Sequence, residues 1–208
     1  MQSPRFLWKG KSFPLLTWTS TMDCWSWSLP AGKRGSCPME DLSVNSICNS
    51  CYAQQNRYRF PTVKNAQWAR FNFLRADPER CLDAISNFIT THNLPFFRVH
   101  DSGDFHTLDM IRLWRKVAAS CPTTSFWFPT RAWLFPHWIP ALRDLASLTN
   151  VETLVGLALL GESGRYWYGD AERAIRTEAE RMGVSASRFA AVLAVTSPRV
   201  KVKRNWTL

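Results

Sequence analysis

The stretch Phe96-Phe97-Arg98-Val99-His100-Asp101-Ser102-Gly103-Asp104 decides the fold of this chain. Its first half is short, aromatic and β-branched, as is typical of a buried strand, and its second half is a polar turn. A helical pattern over 107–119 follows. A strand, a polar turn and a helix in this order indicate a βαβ unit, so we expect a parallel sheet.

The flanking segments repeat this alternation of strands and helices. On the amino-terminal side, 12–19 predicts a strand, Pro61 opens a helix that runs to about Ala76, and Asp77-Pro78 opens a second helix. That second helix carries Leu82, Ile85 and Ile89 on one face. On the carboxyl-terminal side, the predicted elements are a strand at 125–128, a helix at 137–147 and an apolar strand at 151–160. The sequence therefore predicts an α/β domain whose ligands bind at the carboxyl edge of the sheet.

A long stretch without predicted strand or helix, from 21 to 58, contains four of the six cysteines. Cys48 and Cys51 form a CxxC pair, and Cys37 lies ten intervening residues earlier. Thiolates at this spacing can converge on one metal centre, and a [4Fe–4S] cluster accepts three or four of them at irregular spacing. Structural zinc usually takes four ligands from paired motifs. The sequence favours the cluster and leaves structural zinc, or cysteines that only pack, as alternatives.

The fourth iron of such a cluster has three candidate partners. Cys24 precedes Cys37 and could supply a fourth thiolate, and His100 ends a strand at the edge where the cysteine loop is expected. The third candidate is an exchangeable small ligand on an open iron. Cys81 and Cys121 fall on helical patterns and are expected to be core residues.

The polar turn and one later arginine are candidate ligand-binding residues. Asp101 and Asp104 could hold a ribose, an amine or a cation, and Gly103 permits close approach of a ligand. Alternatively, Asp104 caps the next helix and Ser102 satisfies the turn. Arg131 follows the next strand, where it could meet an anionic ligand or pair with one of these carboxylates.

The charge of the chain favours an anionic partner. The sequence has 26 Lys plus Arg against 16 Asp plus Glu, a formal net charge of +10. Nucleic acid, a phosphorylated cofactor or an acidic protein would suit that charge. Basic residues close the chain, and we expect any nucleic-acid contacts to involve Arg199, Lys201, Lys203 and Arg204. No stretch approaches the ~20 apolar residues of a membrane span, and no signal peptide is evident, so a cytoplasmic location is expected.

The chain divides on this pattern into an α/β iron–sulfur domain at 1–164 and a helical, basic appendage at 165–208. The appendage is expected to contain an amphipathic helix at 169–182 and a second helix from Ser185. It is weakly similar over 168–205 to a helical module of phage enzymes related to DNA glycosylases. No activity is carried over from that similarity.

Two motifs together resemble the bacteriophage gene product 88 family. They are Cys37-Pro38 with Ser46-Ile47-Cys48-Asn49-Ser50-Cys51-Tyr52-Ala53, and Phe97 to Phe105, within a resemblance that covers about 20–160. The cysteine motif is also similar to that of the radical S-adenosylmethionine superfamily. This similarity implies a partial (β/α) barrel and a [4Fe–4S] cluster on three cysteines, with S-adenosylmethionine as a candidate cofactor.

The chain departs from that superfamily in two respects. The spacing from Cys37 to Cys48 is longer than usual there, and no Gly-Gly-Glu segment is present. These departures favour a phage-encoded [4Fe–4S] protein with a redox or ligand-binding role in the host cytoplasm. One alternative is a radical S-adenosylmethionine-like enzyme acting on a nucleotide, a nucleic acid or a protein. Another is a zinc-stapled nucleic-acid-binding module.

Overall fold

The computed structural model describes residues 1–20, 22–38, 51–132 and 135–155. It contains seven strands and four α-helices in these ranges, together with three short 3₁₀ helices. The strands are β1 (Arg5–Trp8), β2 (Lys11–Pro14), β3 (Thr17–Thr19), β4 (Cys24–Trp27), β5 (Phe96–Val99), β6 (Ser125–Thr130) and β7 (Val151–Val155). The α-helices are α1 (Pro61–Ala76), α2 (Pro78–Thr91), α3 (Leu108–Ser120) and α4 (Ile139–Ala146). The 3₁₀ helices are Tyr52–Gln54, Asn56–Arg59 and Pro136–Trp138.

The main sheet has five strands in the order β3-β4-β5-β6-β7. Strands β4 to β7 are parallel, and β3 pairs antiparallel with β4. A separate hairpin pairs β1 with β2. The predicted α/β class and the mostly parallel sheet are therefore confirmed. In the part of the chain that the structure describes, the sheet is open and does not close into a barrel.

The amino-terminal part of the sheet differs from the prediction. The single strand expected at 12–19 is divided between β2 and β3, and the first parallel strand is β4, within the segment expected to be irregular. The sequence Cys24-Trp25-Ser26-Trp27 is buried at every position because β4 lies between β3 and β5. Pairing with the adjacent β3 and the distant β5, rather than a local apolar pattern, makes this segment a strand.

The helices begin where local signals place them. The α1 bounds match the predicted 61–76 because Pro61 occupies the first turn, where its missing N–H costs nothing. Asp77 caps α2 through a hydrogen bond from the Arg80 backbone N–H. Helix α2 buries Leu82, Ile85 and Ile89, as predicted.

The core is built from the sheet and from buried residues of all four α-helices. In β5 and β6, the buried residues Phe97, Val99, Phe126 and Phe128 alternate with less buried ones, so one face of the sheet is packed. Trp114 of α3 lies on that face, with its ring centroid 5.3 Å from that of Trp27 and 5.8 Å from that of Phe128. Aromatic packing of α3 thus holds three parallel strands together and fixes the carboxyl edge of the sheet.

The predicted appendage at 165–208 and the end of the strand expected at 151–160 lie outside the described residues. The boundary predicted between the α/β domain at 1–164 and the appendage at 165–208 therefore stays a prediction. No helix in the described ranges is long and apolar enough to cross a membrane.

Replacing Trp114 by Ala should lower the free energy of unfolding by about 3–5 kcal/mol, because it removes a large, fully buried side chain and leaves a cavity. Urea denaturation followed by circular dichroism measures this loss. Leu7→Ala, at an exposed position of β1, is the control and should change stability by no more than about 0.5 kcal/mol. Equal losses in the two variants would contradict this account of the core.

Candidate functional site at the carboxyl edge of the sheet

The turn after β5 is buried almost completely. His100, Asp101, Ser102 and Asp104 each expose only a few per cent of their surface. His100 and Gly103 have φ angles of 65° and 80°, so the backbone turns sharply twice within this turn. A buried turn must satisfy its polar groups from other segments, and those partners define the site. We call residues 100–104 the edge loop.

Asp101 joins the edge loop to β4, to β5 and to the second 3₁₀ helix. Its carboxylate accepts hydrogen bonds from Arg98 Nη1 at 2.9 Å and from the Tyr58 hydroxyl at 2.9 Å. Its backbone N–H donates to the Trp27 carbonyl at 3.1 Å. Both carboxylate oxygens therefore have protein partners, so Asp101 acts here as a structural anchor.

Ser102 and Gly103 bind the edge loop to the segment that follows β4. The Ser102 hydroxyl donates to the Leu29 carbonyl at 2.7 Å and accepts from Gln67 Nε2 at 2.6 Å. A Cβ at Gly103 would lie 2.2 Å from Ser36 Oγ and 2.9 Å from Leu29 Cβ. Glycine is required because two chain segments pack against each other at this point. The expectation that Ser102 satisfies the turn differs from the structure, because both partners of its hydroxyl lie outside the turn.

Asp104 links the edge loop to the end of β6. Its carboxylate accepts from the Thr130 hydroxyl at 2.6 Å and from the backbone N–H groups of Phe105 and Arg131, each at 2.7 Å. Burial raises the pKa of this carboxyl to about 6, although the three hydrogen bonds act to lower it. The predicted cap on α3 is provided by Thr107 instead, whose hydroxyl accepts from the Met110 N–H at 3.3 Å.

Arg131 follows β6 and is buried beside Asp104. Its positive charge favours the ionised form of the Asp104 carboxyl. The structure shows a hydrogen bond from the Arg131 backbone N–H to Asp104, and the predicted ligand-binding role of the Arg131 side chain stays a prediction.

His100 is buried between Trp27 and Phe105, with ring centroids 6.2 and 4.6 Å away. Neither ring nitrogen has a hydrogen-bond partner within the residues that the structure describes. Burial lowers the pKa of the imidazole to about 3, and the charges of His106 and Arg98 act in the same direction. His100 is therefore neutral at physiological pH, which is the form that binds metals.

The two ends of the cysteine segment 37–51 are held by the edge loop. Ser36, next to Cys37, accepts a hydrogen bond from the Asp104 N–H at 3.2 Å. Tyr52, next to Cys51, donates its hydroxyl to the Asp101 carbonyl at 2.5 Å. Three residues of chain span at most about 11 Å, so both anchoring points lie close together. The edge loop thus brings the neighbours of Cys37 and Cys51 to one place.

The cysteines themselves divide into two groups. Cys37 and Cys51 are half-buried, whereas Cys24, Cys81 and Cys121 are buried. None of these five takes part in a disulfide. No group of three or more candidate metal ligands is found among the described residues, which do not include Cys48. The set of Cys37, Cys48 and Cys51 therefore stays a prediction.

Cys24 occupies the first position of β4, at the end of the strand opposite to the edge loop. Its backbone pairs with Thr19 of β3, and burial raises the pKa of its thiol. Burial also raises the pKa of the Cys81 thiol, to about 12. Raised pKa values keep both groups in the thiol form, and this agrees with the core role predicted for Cys81.

Three partners of the edge loop were missed by sequence analysis: Tyr52, Tyr58 and Gln67. Tyr52 follows the CxxC pair, but nothing local indicates that its hydroxyl reaches a loop 49 residues away. Gln67 gives a weak signal, since it is a polar residue on the inner face of α1. The basic residues Arg199, Lys201, Lys203 and Arg204 lie outside the described residues.

These features define an α/β protein with an open, mostly parallel sheet and a cluster of buried polar residues at its carboxyl edge. The chain belongs to the Gene product 88 family, whose model matches residues 7–187. This confirms the resemblance to the phage gene product 88 family and lends no support to the similarity to the radical S-adenosylmethionine superfamily. Neither the curated proteins nor the solved structures include a match to this chain.

The close packing at Gly103 can be tested by substitution, with Gly10 as a matched control. Gly103 and Gly10 both have positive φ angles, 80° and 74°, but a Cβ at Gly10 would meet nothing within 4 Å. Gly10→Ala should cost about 1–2 kcal/mol for the left-handed backbone alone. Gly103→Ala should cost at least about 2 kcal/mol more, because Ser36 and Leu29 must move. Urea unfolding of the two variants checks the difference, and equal costs would show that the packing at Gly103 is loose.

Proposed function

We propose that this phage protein binds a [4Fe–4S] cluster through Cys37, Cys48 and Cys51 and has a redox or ligand-binding role in the host cytoplasm. The proposal is supported chiefly by one observation: the edge loop holds Ser36 and Tyr52, the residues adjacent to Cys37 and Cys51. A cluster needs thiolates from distant positions brought together, and a rigid, buried loop that anchors both ends of the segment favours this.

The properties of the two outer cysteines agree with a role as ligands. Both are half-buried, unlike the three core cysteines, so their sulfurs can meet a cofactor without unfolding the core. Their anchoring residues lie at the carboxyl edge of parallel strands, where cofactors bind in this class of sheet. A bound cluster would supply one-electron redox chemistry. The chain would hold its thiolates, limit the access of water and set the charge around it.

His100 is a better candidate for the fourth ligand than Cys24. It belongs to the edge loop, is neutral, and has two buried ring nitrogens without partners among the described residues. Buried polar groups without a partner are uncommon in folded proteins, and a ligand bound by His100 would satisfy one of these nitrogens. Cys24 lies three residues before the carboxyl end of β4, which corresponds to about 10 Å.

Anaerobic expression with iron supplied should give a brown protein with about four iron and four sulfide ions per chain. Replacing Cys37, Cys48 or Cys51 by Ala should each remove most of the iron, because a cluster with two thiolates is not retained. Iron and sulfide analysis, with visible absorbance, measures this. Cys121→Ala, at a buried core cysteine, is the matched control and should keep the full iron content. Stoichiometric zinc without iron would contradict the proposal and favour the zinc-stapled alternative.

The fourth ligand can be tested by spectroscopy of the reduced cluster. His100→Asn should change the electron paramagnetic resonance spectrum, because asparagine tolerates the positive φ angle but does not replace the imidazole as a ligand. Cys24→Ser should leave the spectrum unchanged. The opposite result, a change with Cys24→Ser alone, would assign the fourth position to the thiolate.

A second candidate function, a radical S-adenosylmethionine-like enzyme, is favoured by the order of the strands. The four parallel strands follow one another in chain order, as in successive units of a (β/α) barrel and unlike a doubly wound sheet. A partial barrel is consistent with this order. A spectral shift of the reduced cluster on addition of S-adenosylmethionine would favour this enzyme over the binding protein.

A further inference from the structure

Half of the net positive charge of the full sequence lies in two segments beside the edge loop. The segments 28–38 and 51–65 contain five Lys or Arg and no Asp or Glu, so they carry half of the net charge of +10. The basic residues are Lys33, Arg34, Arg57, Arg59 and Lys64. Both segments are anchored on the edge loop, through Ser36 and through Tyr52. A positive surface of this density would attract phosphate groups.

Exposed aromatic side chains lie among these charges. Phe60 is 60% exposed and Tyr52 is 46% exposed, although aromatic rings are usually covered. Arg57, with 58% of its side chain exposed, lies three residues before Phe60, which directly follows the second 3₁₀ helix. A guanidinium and an aromatic ring are therefore both exposed within four residues of chain.

Contacts through Tyr58 join Arg57 to Tyr52. The Arg57 guanidinium lies 5.2 Å from the centroid of the Tyr58 ring, which packs edge-on against Tyr52 at 5.7 Å. Tyr58 itself is buried and donates to Asp101, so the surface rests on the edge loop. We call its exposed residues, Tyr52, Arg57, Arg59, Phe60 and Lys64, the basic–aromatic strip.

The start of α1 adds to the positive potential of the strip. Phe60 is the residue before the helix, and the first turn has neither an acidic residue nor a side-chain cap within the described structure. The backbone N–H groups of that turn therefore face the same region as Arg59 and Phe60, with the positive end of the helix dipole.

We propose that the basic–aromatic strip binds single-stranded nucleic acid. Guanidinium groups and a helix amino terminus match backbone phosphates, and exposed rings offer stacking surfaces to unpaired bases. An acidic protein would match the charges but would leave Phe60 and Tyr52 without a role. The surface is separate from the basic residues at 199–204, and its binding does not depend on a cluster.

Fluorescence anisotropy with a labelled single-stranded oligothymidylate and its RNA counterpart tests the proposal on the full chain. Binding should weaken as salt rises from about 50 to 200 mM. The double variant Arg59→Gln, Lys64→Gln should reduce the slope of log affinity against log salt by about 1.4, since each single-strand phosphate contact contributes about 0.7. Phe60→Ala should weaken binding at least about five-fold with little change in this slope, because it removes stacking.

Matched controls lie elsewhere on the chain. Phe96→Ala alters a ring that is 62% exposed at the opposite end of β5, and Arg80→Gln, Lys116→Gln alters two exposed basic residues on α2 and α3. Both controls should bind like the unchanged protein. Absence of binding at low salt, or equal weakening by the controls, would overturn the proposal. So would loss of all binding on removal of residues 199–208 while the strip variants bind normally.

Discussion

The burial of the edge loop is the constraint on which the rest of the structure depends. A turn placed inside a protein loses its hydrogen bonds to water, so each of its polar groups must find a partner in the chain. The edge loop finds these partners in the loop after β4, the 3₁₀ helices, α1 and the end of β6. Breaking one of these bonds leaves a buried donor or acceptor unsatisfied, which costs free energy. Because of this cost, the segments are held together as one cooperative unit.

The two aspartates of the edge loop have different electrostatic settings. Asp101 has Arg98 at 2.9 Å and Arg57 at 4.0 Å, so its charge is compensated by two guanidinium groups. Asp104 is compensated mainly by hydrogen-bond donors, and burial raises its pKa to about 6. Losing the Asp101 carboxylate would leave the Arg98 guanidinium without its close ion-pair partner, whereas losing that of Asp104 would leave three donors unsatisfied. Each carboxylate thus holds a different pair of segments together.

The proposed cluster site and the proposed nucleic-acid surface are both anchored to Asp101 of the edge loop. Tyr52 lies next to Cys51 and also belongs to the basic–aromatic strip, and its hydroxyl donates to the Asp101 carbonyl. Tyr58 connects the strip to the Asp101 carboxylate from the other side. A change in the position of Cys51 would therefore move Tyr52, which belongs to the strip. Both proposed sites therefore rely on the same two hydrogen bonds to Asp101.

Local interactions in the sequence determined the helices, the later strands and the chemical character of the site. Pro61 and Asp77-Pro78 mark helix starts through effects that act within one turn, so α1 and α2 begin where predicted. The polar turn after β5 and its place at the sheet edge follow from the βαβ pattern. Only the tertiary structure decided that β4 is a strand, that the Asp104 carboxylate binds the end of β6 instead of capping α3, and that Tyr52 and Tyr58 hold the edge loop. These outcomes depend on strand pairing or on hydrogen bonds between residues tens of positions apart, and no local pattern encodes which distant partner a buried polar group will meet.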